Sequence, residues 1–426
     1  MKLNVIDLFA GCGGLTDGFI QTNKYNTLAV VDWEFAAIQT LRKRLHDKWN
    51  YDLDSEKVLH FDIQRTEELL EGYEDTKFGC SKGLNEIIDK TKVDVVVGGP
   101  PCQAYSIAGR VRDANGMQDD YRNFLFESYV KLVDRFKPKA FVFENVEGIL
   151  SAKPGGIPII DRIRKSFSDI GYEITPNLRT NALFDTSYFR VPQKRKRVII
   201  FGVSKEYENS TEMVNNFYKL MWDKKSEFPL TVKEALSNLP KIVPNPGKKY
   251  SHKILSDENM SILNHVPRMH SERDIGIFRT LTLDIKTGVN KYASTKALIQ
   301  LYKEKTGKDS KFHKYHVIRE DKPSNTIPAH LYKDGLRHIH PDPDQARSIT
   351  VREAGRIQTF QDDFEFLGSR GDQYKMIGNA VPPLFAKQIG ETVHKLFAEL
   401  EYEYSPNVGL FKEPKLKTEQ CSIQTI

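Results

Sequence analysis

The stretch Val93-Asp94-Val95-Val96-Val97-Gly98-Gly99-Pro100-Pro101-Cys102-Gln103 decides the fold. Val93 to Val97 are β-formers broken only by Asp94, the pattern of a buried parallel strand. Two glycines and two prolines then stop the strand in a stiff turn. In open α/β sheets, ligands bind in the crevice at the carboxyl ends of strands. Cys102 is the first residue past that turn, so its thiol is a candidate nucleophile. The plain alternative is a small buried hydrophobe beside a structural turn.

Upstream, Val5 to Phe9 reads as a short strand, followed by Ala10-Gly11-Cys12-Gly13-Gly14 and a segment that can open a helix. A glycine-rich strand-to-helix turn lets the backbone approach a ligand and offers free helix amides. It is neither G-x-G-x-x-G nor a phosphate-binding loop with Lys-Ser/Thr. Thr27 to Val31 is a second strand and ends at Asp32-Trp33-Glu34. Asp32, about 20 residues past the glycines, is positioned for ribose hydroxyls, and Trp33 can pack on a purine. The alternative is a solvated acid and a core tryptophan. A third unit ends at His60-Phe61-Asp62-Ile63, where Asp62 either accepts from an adenine amino group or caps the next helix. Three strand-plus-acid units in sequence predict a doubly wound sheet holding an adenosine.

Downstream, Ala104 to Arg122 is polar and aperiodic, and its place after Cys102 favours a lid over a disordered loop. Phe124 to Phe136 carries helical spacing, with Leu125, Tyr129, Leu132, Val133 and Phe136 as a core stripe. Ala140 to Phe143 is another buried strand and delivers Glu144 to the position that Cys102 holds on its own strand. A carboxylate there is a general acid or an ion-pair partner. Gln193, Arg195 and Arg197 alternate into the strand Val198 to Gly202, which predicts that they face the same rim and that the arginines bind phosphate or a ring carbonyl.

The 426 residues suit two domains, or one with an insertion, and a 39% hydrophobic, 28% charged composition is that of a globular chain. No stretch approaches 18 apolar residues, and the amino terminus lacks the features of a signal peptide. Four cysteines without a C-x-x-C pair predict a reducing compartment and no disulfide or zinc framework. The net charge of +6 permits a polyanionic partner without demanding one.

Taken together, these motifs resemble those of the DNA (cytosine-5) methyltransferases of bacterial restriction–modification systems, in order and over nearly the whole chain. Asp7 to Gly14 resembles the S-adenosylmethionine loop, Gly99 to Gln103 the nucleophile motif, Glu144-Asn145-Val146 the Glu-Asn-Val motif, and Gln193-x-Arg195-x-Arg197 the Gln-x-Arg-x-Arg motif. Arg347 to Phe360 resembles the late structural motif, and Gly378 to Pro383 the last cofactor motif. One departure is Asp32, where the family usually has Glu; Glu34 is near enough to share its role. The resemblance implies an α/β, Rossmann-like S-adenosylmethionine-dependent methyltransferase domain, with a smaller, irregular target-recognition domain inserted before the last cofactor motif.

It further implies that Cys102 adds to carbon 6 of a flipped cytosine, that Glu144 protonates ring nitrogen 3, and that Arg197 and Arg195 hold the ring carbonyl and orient Glu144. The cofactor, S-adenosyl-L-methionine, would lie against Phe9, Gly11, Gly13, Gly14, Asp32, Trp33, Asp62, Ile63, Pro100, Leu125, Asn379 and Ala380. Ser106, Arg122 and Gln193 would contact DNA. No metal is expected, and His338-Ile339-His340 and His313-x-x-His316 are read as DNA-facing or structural. Double-stranded DNA is the expected partner of a cytoplasmic monomer, with a paired restriction endonuclease as a further candidate partner whose presence the sequence leaves open.

From Ser204 the periodicity weakens. Residues 204–346 carry 24 Lys and Arg against 18 Asp and Glu, and Lys291 to Arg319 holds eight cations and two acids. In a DNA enzyme such a run reads as phosphate-binding rather than a merely solvated face. The predicted division is 1–203 with 373–402 as the catalytic and cofactor domain, 204–372 as the recognition domain, and 403–426 as a tail. An RNA cytosine methyltransferase and a binding-only protein are the rivals. The long basic region favours DNA, and intact Cys102, Glu144, Arg195 and Arg197 favour turnover.

Overall fold

The computed structural model describes residues 1–52, 56–101, 125–245, 248, 251–255, 262–309, 315–333 and 335–403. Cys102, Gln103, Ser106 and Arg122 lie outside the described residues, as do the rest of the expected lid, His313 and the tail from 404.

The apolar runs become strands β1 (Leu3–Leu8), β2 (Tyr25–Asp32) and β3 (Val58–His60), then a hairpin of β4 (Tyr73–Asp75) and β5 (Gly79–Ser81). Next come β6 (Val95–Gly98), β7 (Ala140–Val146), β8 (Tyr172–Ile174), β9 (Leu183–Asp185) and β10 (Lys196–Ser204). Seven of them form one mixed sheet in the order β3-β2-β1-β6-β7-β10-β8, and β9 pairs beside β10. From β3 to β7 every pairing is parallel, while β10 is antiparallel to β7 and β8. Val95 to Val97, Phe141 to Phe143 and Val198 to Phe201 are fully buried, as expected of strands covered on both faces. The order turns between β1 and β6, so the chain leaves these neighbours in opposite directions and opens a crevice at their carboxyl ends.

The stripe predicted from Phe124 appears as the helix Leu125–Phe136. Its buried Tyr129 hydroxyl reaches the carbonyl oxygens of Val96 and Val142, each at 3.0 Å, and fixes the helix across β6 and β7. Just past residue 204, where the sequence expects the recognition domain to begin, the chain stays with the sheet. The helix Ser210–Asp223 buries Met213, Val214, Phe217, Tyr218 and Met221 in the sheet core, and Phe217 stacks on Phe201 at 4.2 Å. The chain then leaves the sheet and returns with the helix Pro383–Glu403.

Between them lie β11 (Lys241–Pro244) paired with β12 (His252–Leu255), and the helices Glu272–Lys286 and Thr295–Thr306. Serines cap both helices: Ser271 accepts from the Asp274 amide and Ser294 from the Ala297 amide. Their apolar faces meet Tyr315, Val317, Ile339 and Ala346 in a small separate core. Another cluster, built on the helices Val351–Ile357 and Arg370–Asn379, also takes in Cys12 and Ala37, so the late motifs pack directly against the glycine loop. Arg347 anchors this region through two bonds of 2.7 Å to the Glu353 carboxylate, both side chains being buried. No helix among the described residues is long and apolar enough to cross a membrane.

Candidate active site

A cavity of about 440 Å³ opens at the carboxyl edge of the sheet, over the turn between β1 and β6. β1 delivers Phe9 to it with φ +59°, a costly conformation for an aromatic residue. Gly11 follows at φ +56°, and nothing lies within 4 Å of where a Cβ on it would stand. The turn therefore offers bare backbone to the cavity. Gly13 does not line it: a Cβ there would stand 2.4 Å from Leu41 Cδ1, so this glycine serves helix packing.

Asp32, at the end of β2, staples the turn. Its Oδ2 accepts from the Gly11 amide and its Oδ1 from the Glu34 amide, both at 2.8 Å. Burial pushes its carboxyl up to about 6 despite those bonds. Deeper, Asp7 accepts from the Thr16 hydroxyl at 2.5 Å, and burial pushes it up to about 7. Burial also raises Cys12, a packed thiol unsuited to attack.

Phe61, Asp62, Ile63 and the half-exposed Trp33 form a second wall. Asp62 accepts from the Gln64 amide at 3.1 Å, so it caps a turn while facing the cavity. Leu125, Asn379 and Ala380 complete the wall. Glu34, expected to share the role of Asp32, lines the cavity, and the sequence around it gives no sign of its partner: it pairs with Lys375 at 2.6 Å, tying the end of β2 to the helix Arg370–Asn379. Lys375 stands one helical turn before Asn379, a spacing that could have marked it.

The Gly98 to Pro101 turn closes the far end. Glu144, from β7, projects over Gly99, and Oε2 lies 2.6 Å from the point a Cβ would occupy. Its Oε1 pairs with Arg197 Nε at 2.7 Å across the β7–β10 edge, a charge contact rather than an aligned hydrogen bond. Asn145 reaches the Pro100 carbonyl at 3.4 Å and links the turn to β7. Pro101, immediately before Cys102, lines the same cavity.

Gln193 and Arg195 do not join them. Both are fully buried. Gln193, expected to contact DNA, bonds internally to Gln358 and to the Ile327 amide. Arg195 donates to the carbonyls of Ile327, Gly378 and Ala380 at 3.2, 2.8 and 3.0 Å, so of these two arginines it is Arg197 that pairs with Glu144. Burial strongly depresses the Arg195 guanidinium, with Arg197 adding like-charge repulsion. His338 and His340 are also buried, which fits a structural place and not a DNA-facing one.

A glycine-lined cavity at a sheet switch point, with acids on two adjacent strand ends and a carboxylate–arginine pair at its far end, defines an α/β enzyme working with a nucleoside-type ligand. A family model described as C-5 cytosine-specific DNA methylase matches residues 3–395. The chain is 36% identical to the type II methyltransferase M.Bpa9945I of Bacillus paralicheniformis, over 91% of this chain and 98% of that one. It is 30% identical to the type II methyltransferase M.DdeI of Desulfomicrobium norvegicum, over 96% and 92% respectively. The chain belongs to the C-5 cytosine-specific DNA methylase family and is a DNA (cytosine-5) methyltransferase; the family's methyl donor is S-adenosyl-L-methionine. Solved structures agree in fold. A prophage-encoded E. coli chain superposes with a TM-score of 0.60 at 23% identity, over 93% of this chain and 100% of that one. The S. pombe Dnmt2 methyltransferase gives 0.53 at 14% identity, over 94% and 100%.

Proposed function

We propose that this chain is a type II modification enzyme that methylates carbon 5 of one cytosine within a specific duplex sequence. In this reading the sheet and its helices form a Rossmann-like cofactor domain, and the segment after Asp223 up to about residue 372 recognises DNA. The relatives it matches over nearly their full length are type II methyltransferases of bacteria, which supports a cytoplasmic setting beside a cognate endonuclease. The observation that carries the reading is the Glu144–Arg197 pair above Gly99, at the end of the cavity that Pro101 lines.

The cavity's chemistry fits S-adenosyl-L-methionine. Phe61, Ile63, Phe9 and Trp33 offer apolar and aromatic surface for adenine. Asp32 and Glu34 meet ribose hydroxyls, Asp62 the adenine amino group, and Gly11 gives the methionine part room against bare backbone. Asn379 and Ala380 close the wall. Bound there, S-adenosyl-L-methionine supplies an electrophilic methyl group.

Carbon 5 of cytosine is a poor nucleophile. The Cys102 thiolate adds to carbon 6, breaks the ring's conjugation and makes carbon 5 enamine-like. Glu144 hydrogen-bonds the exocyclic amino group and delivers a proton to nitrogen 3 as carbon 6 is attacked. Arg197 holds the ring carbonyl and keeps the Glu144 carboxyl in place. After methylation, water takes the carbon 5 proton, the electron pair of that C–H bond re-forms the 5,6 double bond as the Cys102 thiolate departs from carbon 6, and the nitrogen 3 proton returns to Glu144, which restores the aromatic ring. A base inside a duplex is out of reach, so the target is flipped, and Ser106 and Arg122 are the residues proposed to hold phosphates around it.

Methyl transfer from labelled S-adenosyl-L-methionine to unmethylated plasmid DNA, with tRNA as competitor, tests the reading. Label in DNA cytosine supports it; label confined to RNA favours the RNA enzyme; cofactor and DNA binding without transfer favours a binding-only protein.

A further inference from the structure

We propose that Gln193 and Arg195 form a clamp that seats the cofactor wall on the DNA-recognition segment and transmits DNA binding to the cofactor cavity. The inference rests on the reading of the cavity as the cofactor site and of the segment around residues 324–328 as part of the recognition region.

Three chain segments meet at these two side chains. The first is 192–195, which leads directly into β10 and so into Arg197. The second is 324–328, which lies alongside it: the Lys194 amide donates to the Ser324 carbonyl at 2.8 Å, and the Ser324 amide to the Pro192 carbonyl at 2.9 Å. The Thr326 hydroxyl adds a bond of 2.7 Å to the Lys194 carbonyl. The third is 377–380, whose Gly378, Asn379 and Ala380 line the cavity.

Arg195 spans all three. One guanidinium nitrogen holds the carbonyls of Gly378 and Ala380, on either side of Asn379, while the other holds Ile327. Gln193 grips the Ile327 amide at 2.8 Å with its oxygen and meets Gln358 with its nitrogen at 2.9 Å. Gln358 in turn donates to the Ile377 carbonyl at 2.6 Å. No slack separates the second and third segments: a Cβ on Gly378 would stand 2.4 Å from the Ala329 amide nitrogen.

The chemistry of Arg195 argues for a role beyond stability. Among the described residues, its hydrogen-bond partners are carbonyls alone, and Nε has none. A fully buried cation without a bonded carboxylate is costly, and an apolar side chain would hold the fold at less expense. A rigid fork that reaches carbonyls of two segments at once is what a lysine or a hydrophobe lacks. A shift of 324–328 on contacting DNA therefore moves the carbonyls beside Asn379. Gln193 and Arg195 touch neither reacting atom, so they are positioning residues.

The test is equilibrium binding of S-adenosyl-L-homocysteine, with and without saturating unmethylated plasmid DNA. It compares wild type, Arg195→Lys, Thr326→Val and, as a control on the cavity, Asp32→Ala. Wild type is expected to change affinity with DNA by about fivefold or more, the range of ordinary site coupling. Arg195→Lys is expected to bind about tenfold more weakly without DNA and to raise the KM for the methyl donor more than it lowers kcat. Its response to DNA, and that of Thr326→Val, should fall toward unity. Thr326→Val loses only a hydroxyl bond and keeps the test open should Arg195→Lys fail to fold. Wild-type affinity and DNA response in folded variants would overturn the clamp, as would a wild type indifferent to DNA. If Asp32→Ala also binds normally, the cavity reading beneath the clamp has failed instead.

Discussion

Glu144 occupies the space that a side chain on Gly99 would need, with Oε2 2.6 Å from the missing Cβ. The turn after β6 and the carboxylate at the end of β7 are thus fitted to each other. The obstructing atom is the end of a side chain and not backbone, so a methyl group there can be accommodated by swinging the carboxylate aside.

Gly99→Ala is therefore expected to fold normally and to fail in catalysis. Displacing a general acid costs about 10²-fold or more in kcat, while the melting temperature should stay close to wild type. Near-normal kcat in the folded variant would show that the position of Glu144 is not critical.

The Arg347–Glu353 pair predicts a stability effect. Both side chains are buried and joined by two bonds of 2.7 Å. Glu353→Ala leaves a buried cation and should cost about 3–5 kcal/mol in denaturant unfolding. A loss below about 1 kcal/mol, the range of surface pairs, would mean that the site hydrates freely.

Asp7 predicts a pH dependence. Burial raises its carboxyl to about 7 from an ordinary value of 3.8. The folded state then binds the proton more tightly than the unfolded one, so this group's contribution is present below pH 3.8 and is lost as pH rises through 7. Asp7→Asn, which stays neutral, should gain roughly 2–4 kcal/mol over wild type at pH 8 and nothing near pH 4. Thermal melts at the two pH values check it; a gain that is equal at both would reject the assignment.

Asp32 predicts a pH dependence of a different kind. Its carboxylate accepts from the Gly11 and Glu34 amides, and its carboxyl stands near 6. S-adenosyl-L-homocysteine should bind more tightly as pH rises through about 6, and Asp32→Asn should flatten that profile. An unchanged profile in Asp32→Asn would assign the dependence elsewhere.

The basic run gives a salt prediction. Lys296, Lys305 and Lys308 are exposed on or just after the helix Thr295–Thr306. Changing all three to Gln should weaken DNA binding and flatten the log K against log salt slope by about 0.9 for each phosphate no longer neutralised. An unchanged slope would make the run a solvated face only.

Much of this was legible in the chain. The strand-plus-acid units announce the cavity because a parallel strand's carboxyl end is a local feature, which places Asp32, Asp62 and Glu144 at or within two residues of the ends of β2, β3 and β7. The burial of Gln193 and Arg195 is not legible, for the complementary reason. Alternation shows that they share a face with Arg197, but not that Ile327, Gln358, Gly378 and Ala380 come to cover two of the three. The Glu34–Lys375 pair spans 341 positions and leaves no local signal at Glu34. The helix at 210–223 was readable from Met213, Val214, Phe217, Tyr218 and Met221, whose spacing matches one helical face. It was hidden by the irregular, charged segment that follows.

The most direct test of the central claim is bisulfite sequencing of plasmid DNA from a methylation-free host expressing the wild type or Cys102→Ala. The account predicts protected cytosines within one short sequence in the wild-type sample and none with Cys102→Ala. Unprotected DNA from well-expressed wild type, or equal protection with the variant, would contradict it.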